Sequence, residues 1–227
     1  MAIRPLLLGH RGTRSTPHIA ENTIASFDKA IEHGCDGFEF DVRQTADGFA
    51  VICHNATDKR LKIALSSRAS VPQLSGLEDI VKRYHQKVFL AIELKVKGLE
   101  ALILDLLREH PPERDYVVSS LLREVVLELK ARNARVPTGI ICEKQRHLEG
   151  WRDLAVDYVV AQEDLVNQKL IEETHEANVK LLVWTVNNKR SMLKLAKWGV
   201  DGIISDDTEL LVRTLHKPAP EDGSYIM

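Results

Sequence analysis

Short apolar runs recur along the chain, and a longer amphipathic segment follows most of them. The runs are Pro5–Gly9, Phe38–Val42, Lys87–Leu94, Tyr116–Ser120, Thr138–Cys142, Tyr158–Ala161, Lys180–Val186 and Gly202–Ser205. Their Val, Ile and Leu content suits strands covered on both faces. Thr23–His33 places Ile24, Phe27, Ala30 and Ile31 at helical spacing and stops at Gly34, a fitting C-cap. Leu99–His110 is stopped by Pro111 and Pro112, and Leu122–Asn133, Asn167–Ala177 and Lys189–Trp198 read as further helices. Eight strands alternating with helices predict an α/β fold, a closed (β/α)8 TIM barrel in preference to an open doubly wound sheet.

One segment interrupts the rhythm. After the second run comes an extra short strand, Phe49–Cys53, and then a polar stretch, Asn55–Gln73, before a helix starting near Gly76. This stretch is expected as a short insertion at the barrel mouth, with a loose surface loop of no functional role as the equal alternative. No repeat, low-complexity tract or linker divides the chain. A single catalytic domain over residues 1–216 is expected, with a flexible polar tail over 217–227.

The second strand poses a chemical question, because Phe38, Phe40 and Val42 alternate with Glu39, Asp41 and Arg43. Bare charges inside a barrel are costly unless something compensates them. In this fold the C-terminal ends of the strands face the catalytic mouth. There the sequence places His10 and Arg11 after the first strand, His54 after the extra one, Glu93 and Lys95 at the end of the third, and Trp184 late in the seventh. Glu39 and Asp41 point the same way, and Glu93 arrives from the neighbouring strand. Such oxygen donors suit a hard divalent cation, Mg²⁺ or Ca²⁺. Lys95 and Arg11 then remain as donors for an anion, and phosphate fits best. Two histidines beside such a site suit acid–base work.

Other residues read more plainly. Arg43 is expected as a structural partner of the acids, Cys53 as a core residue on the face opposite His54, and Asp206 as the cap of the last helix. Glu21 and Asn22 either cap the first helix or support the site.

Composition narrows the partners. Lys plus Arg number 31 and Asp plus Glu 33, a formal charge of −2, which gives no reason to expect nucleic acid. No stretch is apolar for long enough to cross a bilayer, so no stable membrane association is expected. The opening MAIRPLLLGHRG lacks a small-residue cleavage site and reads as a first strand, not a signal peptide. Cys35, Cys53 and Cys142 show no paired spacing, so a reducing, cytoplasmic setting is the expectation.

The ordered segments GHRG (Gly9–Gly12), ENT (Glu21–Thr23), GFEFDVRQTADGFAVICHN (Gly37–Asn55), IELK (Ile92–Lys95), VWTVN (Val183–Asn187) and GVDGIISDD (Gly199–Asp207) closely resemble the glycerophosphodiester phosphodiesterase family. The resemblance runs from Leu8 to about Leu210. It implies a TIM barrel that hydrolyses small-molecule glycerophosphodiesters to sn-glycerol 3-phosphate and an alcohol. It also implies one divalent metal ion, with Mn²⁺ compatible beside Mg²⁺ and Ca²⁺. Residue by residue, His10 and His54 match the catalytic pair; Glu39, Asp41 and Glu93 match the metal ligands. Arg11 and Lys95 match phosphate contacts, and Trp184 an aromatic of the substrate pocket. The chain departs from the family in having His54-Asn55 for His-Asp and Ser205-Asp206-Asp207-Thr208 for Thr-Asp-x-Pro, and in lacking Arg-Thr-Thr in the insertion. A lysophospholipase D-like activity, a monoester phosphatase and a non-catalytic phosphate-binding barrel are the alternatives.

Overall fold

The computed structural model describes residues 4–216, so the tail expected from 217 onwards lies outside the described residues. In chain order the elements are β1 (Leu6–Gly9), α1 (Ile24–Glu32), β2 (Gly37–Gln44), β3 (Ala50–Ile52), β4 (Thr57–Asp58), β5 (Leu61–Lys62), α2 (Leu77–Tyr84), β6 (Phe89–Leu94) and α3 (Glu100–Glu109). They continue with β7 (Tyr116–Ser120), α4 (Arg123–Arg132), β8 (Thr138–Cys142), β9 (Tyr158–Gln162), α5 (Gln168–Glu176), β10 (Lys180–Trp184), α6 (Lys189–Trp198), β11 (Gly202–Ser205) and α7 (Thr208–Leu215). Going round the sheet, β1, β2, β6, β7, β8, β9, β10 and β11 pair in parallel, and β11 returns to β1. The barrel is closed. All eight predicted strands are in it. The rhythm falters once: between β8 and β9 the chain makes only 3₁₀ turns, Gln145–His147 and Trp151–Leu154.

Alternation along β2 explains its mixed composition. Phe38, Phe40 and Val42 are fully buried against the outer helices, with Phe27, Ile80 and Tyr84 in the same cluster. Phe27 stacks on Phe38 at 4.2 Å, and Tyr84 meets Phe38 edge-on at 5.0 Å. Each such ring is worth roughly 1.5–3 kcal/mol of transfer free energy. A second apolar layer fills the barrel interior with Leu8, Phe89, Ala91, Val117, Ile141, Tyr158, Val160, Leu182 and Ile204. It forms a floor beneath the charged residues of the mouth.

Local chemistry sets the helix starts. Thr23 accepts from Ser26 N and Ser26 answers it in a capping box, while Asn167, Asn188 and Asp207 cap α5, α6 and α7. The stretch expected as a mouth insertion contains the hairpin β4–β5 and two 3₁₀ turns, Ile63–Leu65 and Arg68–Ser70. Ile63 is buried, whereas Leu65 is exposed. Among the described residues, no helix is long and apolar enough to cross a membrane.

Candidate active site

The mouth is organised by the turn after β1. Arg11 has φ +53° and Gly12 φ +86°, so the chain doubles back sharply. A side chain at Gly9 would overlap the Gly12 carbonyl, and one at Gly12 would overlap Ser26 at the start of α1. This turn points the Arg11 backbone N–H at Glu39 Oε2, 3.0 Å away. A non-glycine residue held in this conformation is the kind of strain that collects at functional sites.

Glu39, Asp41 and Glu93 each offer one oxygen, and the three oxygens lie within 4.8 Å of one another. The register explains the convergence: β2 and β6 are parallel neighbours with Asp41 opposite Glu93. Asn22 Nδ2 donates to Asp41 Oδ2 at 2.8 Å. Arg11 Nε lies 3.2 Å from Asp41, and Lys95 Nζ lies 3.3 Å from Asp41 and 2.7 Å from Glu93. Three carboxylates face two cations, which leaves one negative charge in excess. Among the described residues, buried Glu39 Oε1 has no hydrogen-bond partner.

Burial and the charges around them shift these groups apart. Burial, Asp41 and Glu93 push the Glu39 carboxyl well above the usual range. Burial also pushes Glu93 up, to about 7, although Lys95 opposes it. Burial alone would raise Asp41 as well, but Lys95, Asn22 and Arg11 hold it below its ordinary value. A cation placed between these acids would reverse the strain.

Two imidazoles flank the acids. His10 Nδ1 is 2.8 Å from Asp206 Oδ1, and its Nε2 is 3.9 Å from Glu39. His54 Nδ1 is 3.1 Å from Asn55 Oδ1. Burial holds His54 below the usual histidine value, partly offset by Asp41. Trp184 donates from Nε1 to the Val160 carbonyl at 3.2 Å and sits 6.4 Å from the His10 ring. One cleft is lined by His10, Arg11, Glu39, His54, Glu93, Lys95 and Trp184. Asp41, 1 % exposed, does not line it.

The model of the glycerophosphoryl diester phosphodiesterase family matches residues 10–88 and 102–210. The chain belongs to this family. It is similar to the glycerophosphodiester phosphodiesterase of Caldanaerobacter subterraneus subsp. tengcongensis, 28% identical over 95% of this chain and 99% of that one. A Bacillus subtilis glycerophosphodiester phosphodiesterase is 23% identical over 91% of this chain and 85% of its own. Among solved structures, a Parabacteroides distasonis glycerophosphodiester phosphodiesterase superposes with TM-score 0.84 at 21% identity, covering 94% of this chain and 97% of that one. An Oleispira antarctica phosphodiesterase, in complex with the product sn-glycerol-3-phosphate, superposes with TM-score 0.82 at 23% identity, covering 94% and 98%. The family is one of phosphodiesterases, and this chain is an enzyme of that class.

Of the eight candidate site residues, seven line the cleft of this phosphodiesterase and Asp41 is held beside them by Arg11 and Lys95, but their supporting cast differs from expectation. Asp206 does not cap α7; Asp207 does, accepting from Leu210 N at 2.9 Å. Asn187 draws Asp206 into the site instead, donating from Nδ2 to Oδ2 at 2.7 Å and accepting the Asp206 N–H at 2.9 Å. Arg14 donates to Asp206 as well, and despite its burial the carboxyl is held below its ordinary value by His10, Asn187 and Arg14. Among the described residues Arg43 makes no ion pair with the acids. By its position β2 has passed the barrel rim and pairs with β3, and Arg43 Nε donates to the His54 carbonyl at 2.9 Å. Glu21 and Asn22 leave the capping to Thr23; Glu21 pairs with Arg11 and Arg14, and Asn22 with Asp41. At the departure noted after His54, it is the Asn55 amide oxygen that faces the ring.

Proposed function

We propose that the chain hydrolyses glycerophosphodiesters to sn-glycerol 3-phosphate and an alcohol, with one divalent cation at Glu39, Asp41 and Glu93. The observation that carries this reading is the acid cluster with its unpartnered Glu39 Oε1, set between two imidazoles and two cationic side chains. Oxygen-only donors fit Mg²⁺, Ca²⁺ or Mn²⁺. Such an ion, when bound, polarises a phosphoryl oxygen and lowers the pKa of a coordinated hydroxyl.

The chain's own residues do the rest. Arg11 and Lys95 draw the phosphate to the acid side of the mouth. With Nδ1 committed to Asp206, His10 presents Nε2 to the cleft; His54, with Nδ1 facing Asn55, presents its Nε2 likewise. One histidine takes the proton of the glycerol 2-hydroxyl as that oxygen attacks phosphorus. The P–O bond to the alcohol breaks, and the other histidine supplies the proton the alcohol leaves with. Water then opens the cyclic phosphate with the two roles exchanged.

The test follows glycerol 3-phosphate release from glycerophosphodiesters after chelation and stepwise return of each cation. Release that depends on added cation supports the reading, and no release under any cation refutes it. Lysophosphatidylcholine and a phosphate monoester in the same panel separate the two alternative activities.

A further inference from the structure

Glu143 follows β8 directly and lines the same cleft. Going round the barrel in either direction, β8 is the fourth strand from β1. Glu143 therefore stands across the mouth from His10 and Arg11. Its backbone is fixed: the N–H donates to His147 Nδ1 at 3.2 Å, and Cys142 Sγ donates to the His147 carbonyl at 3.3 Å. Among the described residues its carboxylate, half-buried, makes no hydrogen bond or ion pair.

Every other charge in this cleft has a task. The acids of β2 and β6 gather the cation, Arg11 and Lys95 take the phosphate, and the histidines move protons. Glu143 remains, with the apolar side chains of Leu121, Ile141, Val160 and Leu182 lining the cleft beside it. A free carboxylate facing an anionic diester repels it unless the substrate also brings a positive charge. A phosphate held by Arg11 and Lys95 has two arms. The glycerol arm is committed to the acid cluster, so the alcohol arm crosses towards the open side of the mouth.

Resting on the proposed diesterase reading, we infer that Glu143 selects the alcohol half of the substrate, favouring head groups that carry an ammonium or quaternary ammonium charge. It acts as a specificity residue that touches the leaving alcohol and takes no part in proton transfer.

The experiment compares kcat/KM on glycerophosphocholine and glycerophosphoethanolamine with kcat/KM on glycerophosphoglycerol and glycerophosphoinositol. In the unaltered enzyme the two cationic substrates are expected to lead by about 10-fold, and raising ionic strength from about 0.01 M to about 1 M should erode that lead. Glu143→Gln is expected to lower kcat/KM about 10-fold on the cationic pair and to leave the neutral pair within about twofold. Glu143→Lys should invert the order. Equal loss on all four substrates, or a salt-independent ratio in the unaltered enzyme, overturns the inference while leaving the diesterase reading intact. Turnover of none of the four by the unaltered enzyme overturns both.

Discussion

His10 and Asp206 are 196 positions apart in the chain, yet His10 Nδ1 and Asp206 Oδ1 lie 2.8 Å apart. Barrel closure makes the contact. Gly9 pairs with Ser205 where β1 meets β11, and the next residue of each strand enters the mouth. The His10 N–H donates to the Ser205 carbonyl at 2.8 Å, which locks the two strand ends together. Asn187 and Arg14 hold Asp206 in turn. The His10 ring is thus fixed with Nε2 towards Glu39 and the cleft.

Asp206→Asn tests that positioning role. The amide keeps the shape but can offer its own N–H to Nδ1 and so favour the wrong tautomer. We expect kcat to fall about 10²-fold with KM changed only slightly. The carboxyl is held below its ordinary value, so it stabilises the fold above the unfolded pKa and loses that contribution as pH falls through the folded one. The gap in thermal midpoint between the parent and Asp206→Asn should therefore be full at pH 7 and shrink progressively below about pH 4. A gap that stays constant down to pH 3 contradicts the assignment.

His10→Ala and His54→Ala should each reduce kcat by about 10²–10⁴-fold. Since the two imidazoles serve one reaction, the double variant should lose much less than the product of the single losses. Calorimetry with sn-glycerol 3-phosphate should show binding largely retained in both single variants. Near-normal turnover in either removes that histidine from the proposed chemistry.

Cysteine chemistry is expected to be silent. Burial pushes the Cys35 and Cys142 thiols up to about 12 and raises Cys53 too. At pH 8 the thiolate fraction of the first two is then roughly 10⁻⁴. Cys53, next to His54 in sequence, packs with Val51, Ile63 and Val71. Native protein should release almost no chromophore from a thiol-reactive disulfide reagent within minutes, while denatured protein reports all three thiols. Loss of turnover after iodoacetamide treatment of the native enzyme points instead to a thiol role.

The strands and the gathering of these side chains at the mouth were legible in the sequence for the same reason. A period of two sorts Phe38, Phe40 and Val42 from Glu39 and Asp41 without reference to anything distant. Helix bounds followed from local caps and stops, such as Gly199 after Trp198. The misread residues depend on long-range closure. Asp206 and Asp207 are adjacent carboxylates at a helix start, and only Asn187, brought over from the end of β10, decides which one caps and which one turns inward. Arg43 continues the alternation of Glu39 and Asp41, but the pairing of β2 with β3 places it beside His54. Glu143 carried no motif at all. Its one available signal was its place directly after a predicted strand, where a barrel presents side chains to the mouth.

The cation itself is open to a test that needs no substrate. Without it, Glu39, Asp41 and Glu93 outnumber Arg11 and Lys95, and Glu39 bears the strain through its raised carboxyl and orphaned oxygen. Glu39→Gln relieves that strain, so in chelator the variant should melt no lower than the parent protein. Adding Mg²⁺, Ca²⁺ or Mn²⁺ at about 100 times its Kd should raise the parent's stability by about 2.7 kcal/mol, a rise of about 5–10 °C for a domain of this size. The variant, short of one charged ligand, should gain little, so the order of the two midpoints reverses between chelator and metal. Equal rises in both proteins would place any bound cation away from Glu39, and no rise in the parent would leave the acid cluster without the counter-charge its geometry calls for.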